Sequence, residues 1–291
     1  GINGILPTLI SARENGVKSV IIPKENEQEG GYIDGIDVFV ASNLKEVCDF
    51  IEGKSELKKV ELKNYENDAK SGEYDNDLKY VRGQFVARRA LEVAVSGNHN
   101  IILEGPPGAG KTMLAKCIPS KMPDMSFAEA LETTKIHSVA GTLKGSEGIV
   151  LKRPFMSPHH TASAASITGG GQSAKPGMVS LAHNGVLFLD EMPEYPRSVL
   201  ESLRQPLEDR EITVSRVKAN YRYPANFILV GSMNPCPCGY YGSKDREWTC
   251  SPYQIKRYKE KISGPLLDRM DIRINVDNVK YDDLASGEES E

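Results

Sequence analysis

The apolar positions of this chain fall into short runs between polar turns, and their spacing changes character twice. Residues 5–12 are apolar enough for a helix, with Gly16 after them as its terminator. Val20-Ile21-Ile22 stops at Pro23 and reads as a buried strand. Val38-Phe39-Val40 is a second strand, and Asn43 caps a helix running to Ile51. Residues 1–53 therefore predict a small α/β piece. Residues 54–77 are dominated by Lys, Glu, Asp, Asn, Ser and Gly, the pattern of a polar linker. From Leu78 helices and strands alternate. Val86, Ala87, Ala90, Leu91, Ala94 and Val95 recur at helical spacing, and Asn100–Leu103 is a strand entering a glycine-rich loop. Ser126-Phe127-Ala128-Glu129 is a capping box opening another helix. Val186–Leu189 and Phe227–Val230 are unbroken apolar runs, the kind that fill a parallel sheet covered on both faces. The pattern predicts an α/β core over 78–279, followed by a polar tail, 280–291, that looks cut off.

Composition narrows the class. A chain of 291 residues, 39% hydrophobic and 26% charged, fits roughly two soluble globular domains. No apolar run approaches the ~18 residues of a membrane helix, so no membrane partner is expected. No basic-then-apolar leader is present, and Gly1 opens in mid-pattern, as in a piece of a longer protein. Five cysteines, an odd and sparse count, point to a reducing compartment and a cytoplasmic location. With 40 acidic and 36 basic residues the net charge is −4, which excludes a globally basic coat but not a local basic surface.

The strongest chemical signal is Gly105-Pro106-Pro107-Gly108-Ala109-Gly110-Lys111-Thr112, a GxxxxGK[ST] loop between a strand and a helix. Its glycines let successive backbone N–H groups turn inward around phosphates. Lys111 would reach the β- and γ-phosphates of ATP, the Thr112 hydroxyl would hold Mg²⁺, and Met113 would follow at the nucleotide. Val186–Leu189 then delivers Asp190-Glu191 to a strand's C-terminal edge, where open α/β sheets bind ligands. Asp190 suits Mg²⁺ and Glu191 a general base for the attacking water. Asn234, ending the next strand, could position that water, although an Asn before Pro235 is also a common turn residue. Arg269 follows a short helical stretch; in a ring of ATPases such a group acts on a neighbour's γ-phosphate.

In this order the four elements resemble an AAA+ ATPase. Lys111 and Asp190 are 79 residues apart, which leaves room for an insertion. Ile136–Gly141, a strand at Gly148–Arg153, Arg153-Pro154-Phe155, Ser157-Pro158-His159-His160-Thr161 and Gly169-Gly170-Gly171 with Pro176-Gly177 resemble the magnesium-chelatase I subunit-like families. There the region is a helix-2 insert, and Ile212–Ser215 with Ala219–Tyr223 would form the hairpin before the Asn234 strand. Residues 1–53 are similar to the second half of a Lon-protease-type (ribosomal S5-like) domain. Asn234–Tyr240 and Ser263–Asp271 are similar to the YifB/ComM branch. The resemblance implies a homo-hexameric ATPase that migrates branched DNA in recombination or natural transformation, with Asn234 as sensor 1 and Arg269 as arginine finger. Metal insertion into a porphyrin, or remodelling of a protein substrate, are the alternatives.

Three departures from the family pattern matter. Leu6 and Thr8 stand where a Lon-type dyad lysine is sought, so the first piece reads as a scaffold. Relatives carry four cysteines after the sensor; here Cys236, Cys238 and Cys250 remain while Trp248 stands at the other position, so Zn²⁺ needs a further donor. The helical lid with its second sensor arginine lies outside the segment. Positive charge is concentrated at 135–179 (Lys135, Lys144, Lys152, Arg153, Lys175), at 197–222 (Arg197, Arg204, Arg210, Arg216, Lys218, Arg222) and at 256–261. That suits contact with the backbone of branched or single-stranded DNA, though solvated faces look the same.

Overall fold

The structure, a computed structural model, describes residues 1–69, 74–143, 148–170, 174–215, 220–243 and 246–278. The polar tail 280–291 lies outside them. The chain divides into two compact units, one of Gly1–Gly72 with Asp124–Lys152, the other of Glu73–Pro123 with Arg153–Glu291.

In the larger unit α1 (Phe85–Gly97) leads into β1 (Ile101–Glu104), and α2 (Lys111–Lys116) follows the glycine-rich loop. The strands β2 (Phe155–Met156), β3 (Val186–Leu189), β4 (Glu211–Ser215), β5 (Asn220–Pro224) and β6 (Ile228–Met233) come next. The helix α3 (Pro252–Lys259) and the strand β7 (Ile272–Asn275) complete the unit's frame. Five strands form one sheet in the order β7-β1-β6-β3-β2, with every neighbouring pair parallel. The fold is thus the α/β architecture with a parallel sheet that the alternation predicts.

The unbroken apolar runs are explained by the two faces of that sheet. Ile101, Leu103, Val186, Phe188, Ile228 and Val230 pack with Ala87, Leu91 and Leu114. Ile102, Leu187, Leu189 and Leu229 face the opposite core with Val179, Val199 and Leu203. Since all strands run the same way, the residues following β1, β3 and β6 emerge at one edge of the sheet. The strands β4 and β5 pair antiparallel, with Val214 opposite Tyr221, as the expected hairpin. A shorter hairpin pairs Gly169–Gly170 with Lys175–Pro176. Gly171, Arg216, Lys218 and Ala219 lie outside the described residues.

The smaller unit joins two pieces of chain. Ser19–Pro23 pairs parallel with Asp37–Ala41, which pairs antiparallel with Lys58–Lys59. The helix Ile5–Glu14 buries Ile5, Leu6, Leu9 and Ile10 in its core. Asn43 caps Leu44–Ile51 by accepting the Glu46 N–H at 3.0 Å. The stretch expected as a linker supplies the third strand and the helix Tyr65–Ala69. The helix Phe127–Ala140 has its capping box, yet it groups with this unit despite following the P-loop helix in sequence. Ser138 explains part of that allegiance: its hydroxyl accepts the Gly4 N–H at 3.1 Å and donates to Glu29 at 2.9 Å. The strand expected over Gly148–Arg153 does not form. The Val150 N–H donates to the Thr134 hydroxyl at 2.8 Å rather than to a ladder.

Candidate functional site

Each turn at the sheet edge has a local cause. Gly108 (φ 83°) and Gly110 (φ 86°) are left-handed, a conformation that costs other residues about 1–2 kcal/mol. Space is open around both, so their requirement is conformational. Gly105 is different: a Cβ there would stand 2.1 Å from the Val276 carbonyl oxygen, so its requirement is steric. Gly110 caps α2, whose first residues are Lys111 and Thr112.

Around one cavity of about 410 Å³ the structure brings together Pro107 to Met113, Asp190, Glu191, Ser232 and Asn234. The Lys111 ammonium lies inside the loop, donating to the carbonyls of Gly105 (2.7 Å) and Pro106 (2.8 Å) and to Asn234 Oδ1 (3.2 Å). Burial pushes its pKa below the ordinary lysine range, opposed by the carboxylates of Asp190 and Glu191. Thr112 donates to Asp190 Oδ2 at 3.0 Å, joining the P-loop to the end of β3. Ala109 is buried, and its carbonyl accepts from Gln84 at 3.2 Å.

Ser232 is a site residue that sequence reasoning missed. Its hydroxyl donates to Asp190 Oδ1 and accepts the Glu191 N–H at 3.1 Å. Glu191 itself is left-handed (φ 51°, ψ 48°), an uncommon state for a glutamate, and its N–H also reaches Asp190 Oδ1 at 3.2 Å. Strain of this kind persists where surrounding groups hold it, and it concentrates at functional sites. The signal in the sequence was faint: Ser232 lies two residues before Asn234, hence on the same side of an extended strand. Gly239 (φ 88°) was missed as well. A Cβ there would meet Pro107 Cδ at 2.7 Å, so the loop after Asn234 forms a wall of the P-loop. Behind it Tyr258 is buried, which pushes its phenol up to about 12, against the pull of the Asn234 backbone N–H.

Arg269 does not join this cavity. Its guanidinium pairs with Glu208, and its carbonyl accepts from the buried Asn100 amide at 2.8 Å. The same Asn100 accepts the Leu229 N–H at 2.9 Å, tying the Arg269 turn to β6. Cys236, Cys238 and Cys250 converge, with Sγ atoms all within 4.8 Å of one another. Among the described residues no other His, Cys, Asp or Glu group forms such a set, and the ring nitrogen of His159 is engaged by Thr161 at 2.8 Å.

Much of the expected basic surface is already engaged within the chain. Arg153 donates to the carbonyls of Pro123 and Asn184, and Arg210 to that of Phe227. Arg204, Arg222, Lys259 and Lys261 pair with Glu201, Glu211, Glu104 and Glu194. Lys144 is outside the described residues. Among the described residues no helix is long and apolar enough to cross a membrane.

Comparison with known proteins places the chain in a family. Residues 77–284 match the family model described as magnesium chelatase, subunit ChlI. The chain is 44% identical over 277 residues to the YifB protein of Escherichia coli K12, covering 95% of this chain and 53% of that protein. It is 42% identical over 283 residues to the competence protein ComM of Haemophilus influenzae, covering 95% and 54%. It thus spans about half the length of the curated relatives it matches. A magnesium chelatase complex of subunits BchI and BchD aligns over 69% of this chain and 62% of its own, at 20% identity and a TM-score of 0.48. With its P-loop, acidic pair and parallel sheet, this chain belongs to the family of the magnesium chelatase subunit ChlI.

Proposed function

We propose that this chain is the ATP-hydrolysing core of an AAA+ motor that remodels branched DNA as a homo-hexamer. The observation that carries the ATPase reading is one cavity uniting Lys111, Thr112, Asp190, Glu191 and Asn234. The residues fit a nucleotide and its metal. Open space faces Gly108 and Gly110, and a hydroxyl and a carboxylate meet at 3.0 Å, the hard oxygen donors Mg²⁺ takes. Thr112 and Asp190 would hold Mg²⁺, which when bound neutralises charge on the phosphates. Lys111 exchanges the carbonyls of Gly105 and Pro106 for phosphate oxygens, and Glu191 accepts a proton from water at the cavity mouth. Asn234, already within reach of Lys111, orients that water. Arg269 does not line its own chain's cavity; in this reading it serves a neighbour's site, which makes turnover depend on assembly. Until then Glu208 holds it.

A relative named as a competence protein supports DNA as the substrate. So do Lys175 and Arg257, which are exposed cations. The smaller unit acts as a scaffold of Lon-type descent rather than a peptidase. Leu6 is fully buried in its core, and the Thr8 hydroxyl donates to the Gly4 carbonyl. The test is the ATPase rate of the full-length protein with and without four-way-junction DNA, beside Lys111→Ala. Stimulation by the junction that fades with salt and vanishes in the variant is expected. Robust hydrolysis indifferent to DNA would overturn the helicase reading in favour of a porphyrin or protein substrate, and absence of hydrolysis would overturn both.

A further inference from the structure

The three converging cysteines have no part in the chemistry above, and their surroundings are those of a metal site. Cys236 is buried, Cys238 and Cys250 are half-buried, and all three are free thiols. Cys236 Sγ and Cys238 Sγ are 3.2 Å apart, and Cys250, twelve residues further on, comes within 4.8 Å of both. Two backbone N–H groups are aimed at sulfur: Tyr241 donates to Cys236 Sγ at 3.3 Å, and Cys238 to Cys250 Sγ at 3.4 Å. Left-handed Gly239 and Gly242 make the turns of this loop. Three converging sulfurs with backbone N–H groups turned toward them have the ligand type and spacing of a structural zinc site.

We propose that Cys236, Cys238 and Cys250 bind one zinc ion. Zinc prefers thiolate ligands at about 2.3 Å, which sets tetrahedral sulfurs roughly 3.8 Å apart. The observed spacing reaches that by small side-chain rotations. The fourth position falls to water or an external donor, because no other His, Cys, Asp or Glu among the described residues joins the set. The ion is a staple. Cys236 is two residues beyond Asn234, whose amide touches Lys111, and Gly239 lies against Pro107. Closing 236–250 on a metal fixes both the sensor side chain and a wall of the P-loop. A thiol-reactive agent would therefore loosen the nucleotide cavity without touching it.

The experiment begins with full-length protein purified without chelator, its zinc measured by mass spectrometry of the element. One zinc per chain is expected at this site, released when an organomercurial caps the thiols. Cobalt added to metal-depleted protein should give a thiolate-to-metal charge-transfer band. Bound metal should protect Cys236, Cys238 and Cys250, but not exposed Cys48, from alkylation read by peptide mapping. Cys250→Ser should weaken zinc binding by about tenfold or more, and Cys48→Ser should leave it unchanged. The proposal is overturned if wild-type protein takes up neither zinc nor cobalt, if Cys250→Ser binds zinc as tightly as wild type, or if the three thiols alkylate as fast with metal as without it. None of these readouts depends on ATP turnover.

Discussion

Replacing Ser232 by Ala isolates a residue that holds the machinery without performing the chemistry. Its hydroxyl makes two bonds, one donated to Asp190 Oδ1 and one accepted from the Glu191 N–H at 3.1 Å. The bond to the carboxylate is charge-assisted, worth about 1.5–3 kcal/mol. The bond from Glu191 helps secure a left-handed backbone that otherwise costs about 1–2 kcal/mol. Removing the hydroxyl leaves the Glu191 N–H with Asp190 Oδ1 at 3.2 Å, so no buried donor is orphaned and folding should lose only about 1 kcal/mol. The loss falls instead on the alignment of Glu191 and Asp190 during hydrolysis. At 1.36 kcal/mol per decade, 1.5–3 kcal/mol corresponds to a kcat lowered by about 10- to 160-fold. The assay is steady-state ATPase activity of the full-length assembled protein, with nucleotide affinity measured separately and thermal unfolding as the fold control. Ser232→Ala should lower kcat while leaving nucleotide affinity near wild type. Combining it with Asp190→Asn should cost less than the sum of the two, because both changes break one network. A kcat within about twofold of wild type in a folded protein, or strict additivity with Asp190→Asn, would refute the positioning role.

Three further predictions follow from the same geometry. Gly105→Ala should destabilise the larger unit by about 1–3 kcal/mol, because its Cβ meets a backbone carbonyl at 2.1 Å that cannot rotate away. Gly108→Ala, with only φ strain, should cost about 1–2 kcal/mol; denaturant midpoints that rank Gly108→Ala as the costlier would contradict this reading. Arg269→Ala should lower turnover by about 10³-fold or more with nucleotide binding intact, and mixing it with Lys111→Ala should recover part of the rate. No recovery on mixing would mean that the arginine does not serve a neighbour's site. Burial raises the Cys117 thiol to about 11, against about 8.5 in an unfolded chain. The unfolded state then loses the proton first, so stability holds below about pH 8.5 and falls as pH rises toward 11. Unfolding curves of Cys117→Ala should be flatter over that window, and an unchanged alkaline slope would remove this thiol as the cause.

Features set by neighbouring residues were legible in the chain itself. The φ demands of Gly108 and Gly110, the apolar runs ahead of Glu104 and Asp190, and the caps at Asn43 and Ser126 are local, involving residues within a few positions of one another. Such patterns survive translation along the chain, so the P-loop, the acidic pair and the parallel α/β class could be written down before any coordinates. Features set by distant pairs could not. Ser232 meets Asp190 across 42 residues, Arg269 meets Glu208 across 61, and Ser138 meets Glu29 across 109. The expected linker gained a strand because Lys58–Lys59 found a partner in Phe39 and Val40. The expected strand at Gly148–Arg153 was lost because Thr134 claimed the Val150 N–H. Hydrophobic spacing specifies which side of a helix or strand is buried, but it carries no label for what buries it. That choice, and with it the allegiance of Phe127–Ala140, was made only when the tertiary structure closed.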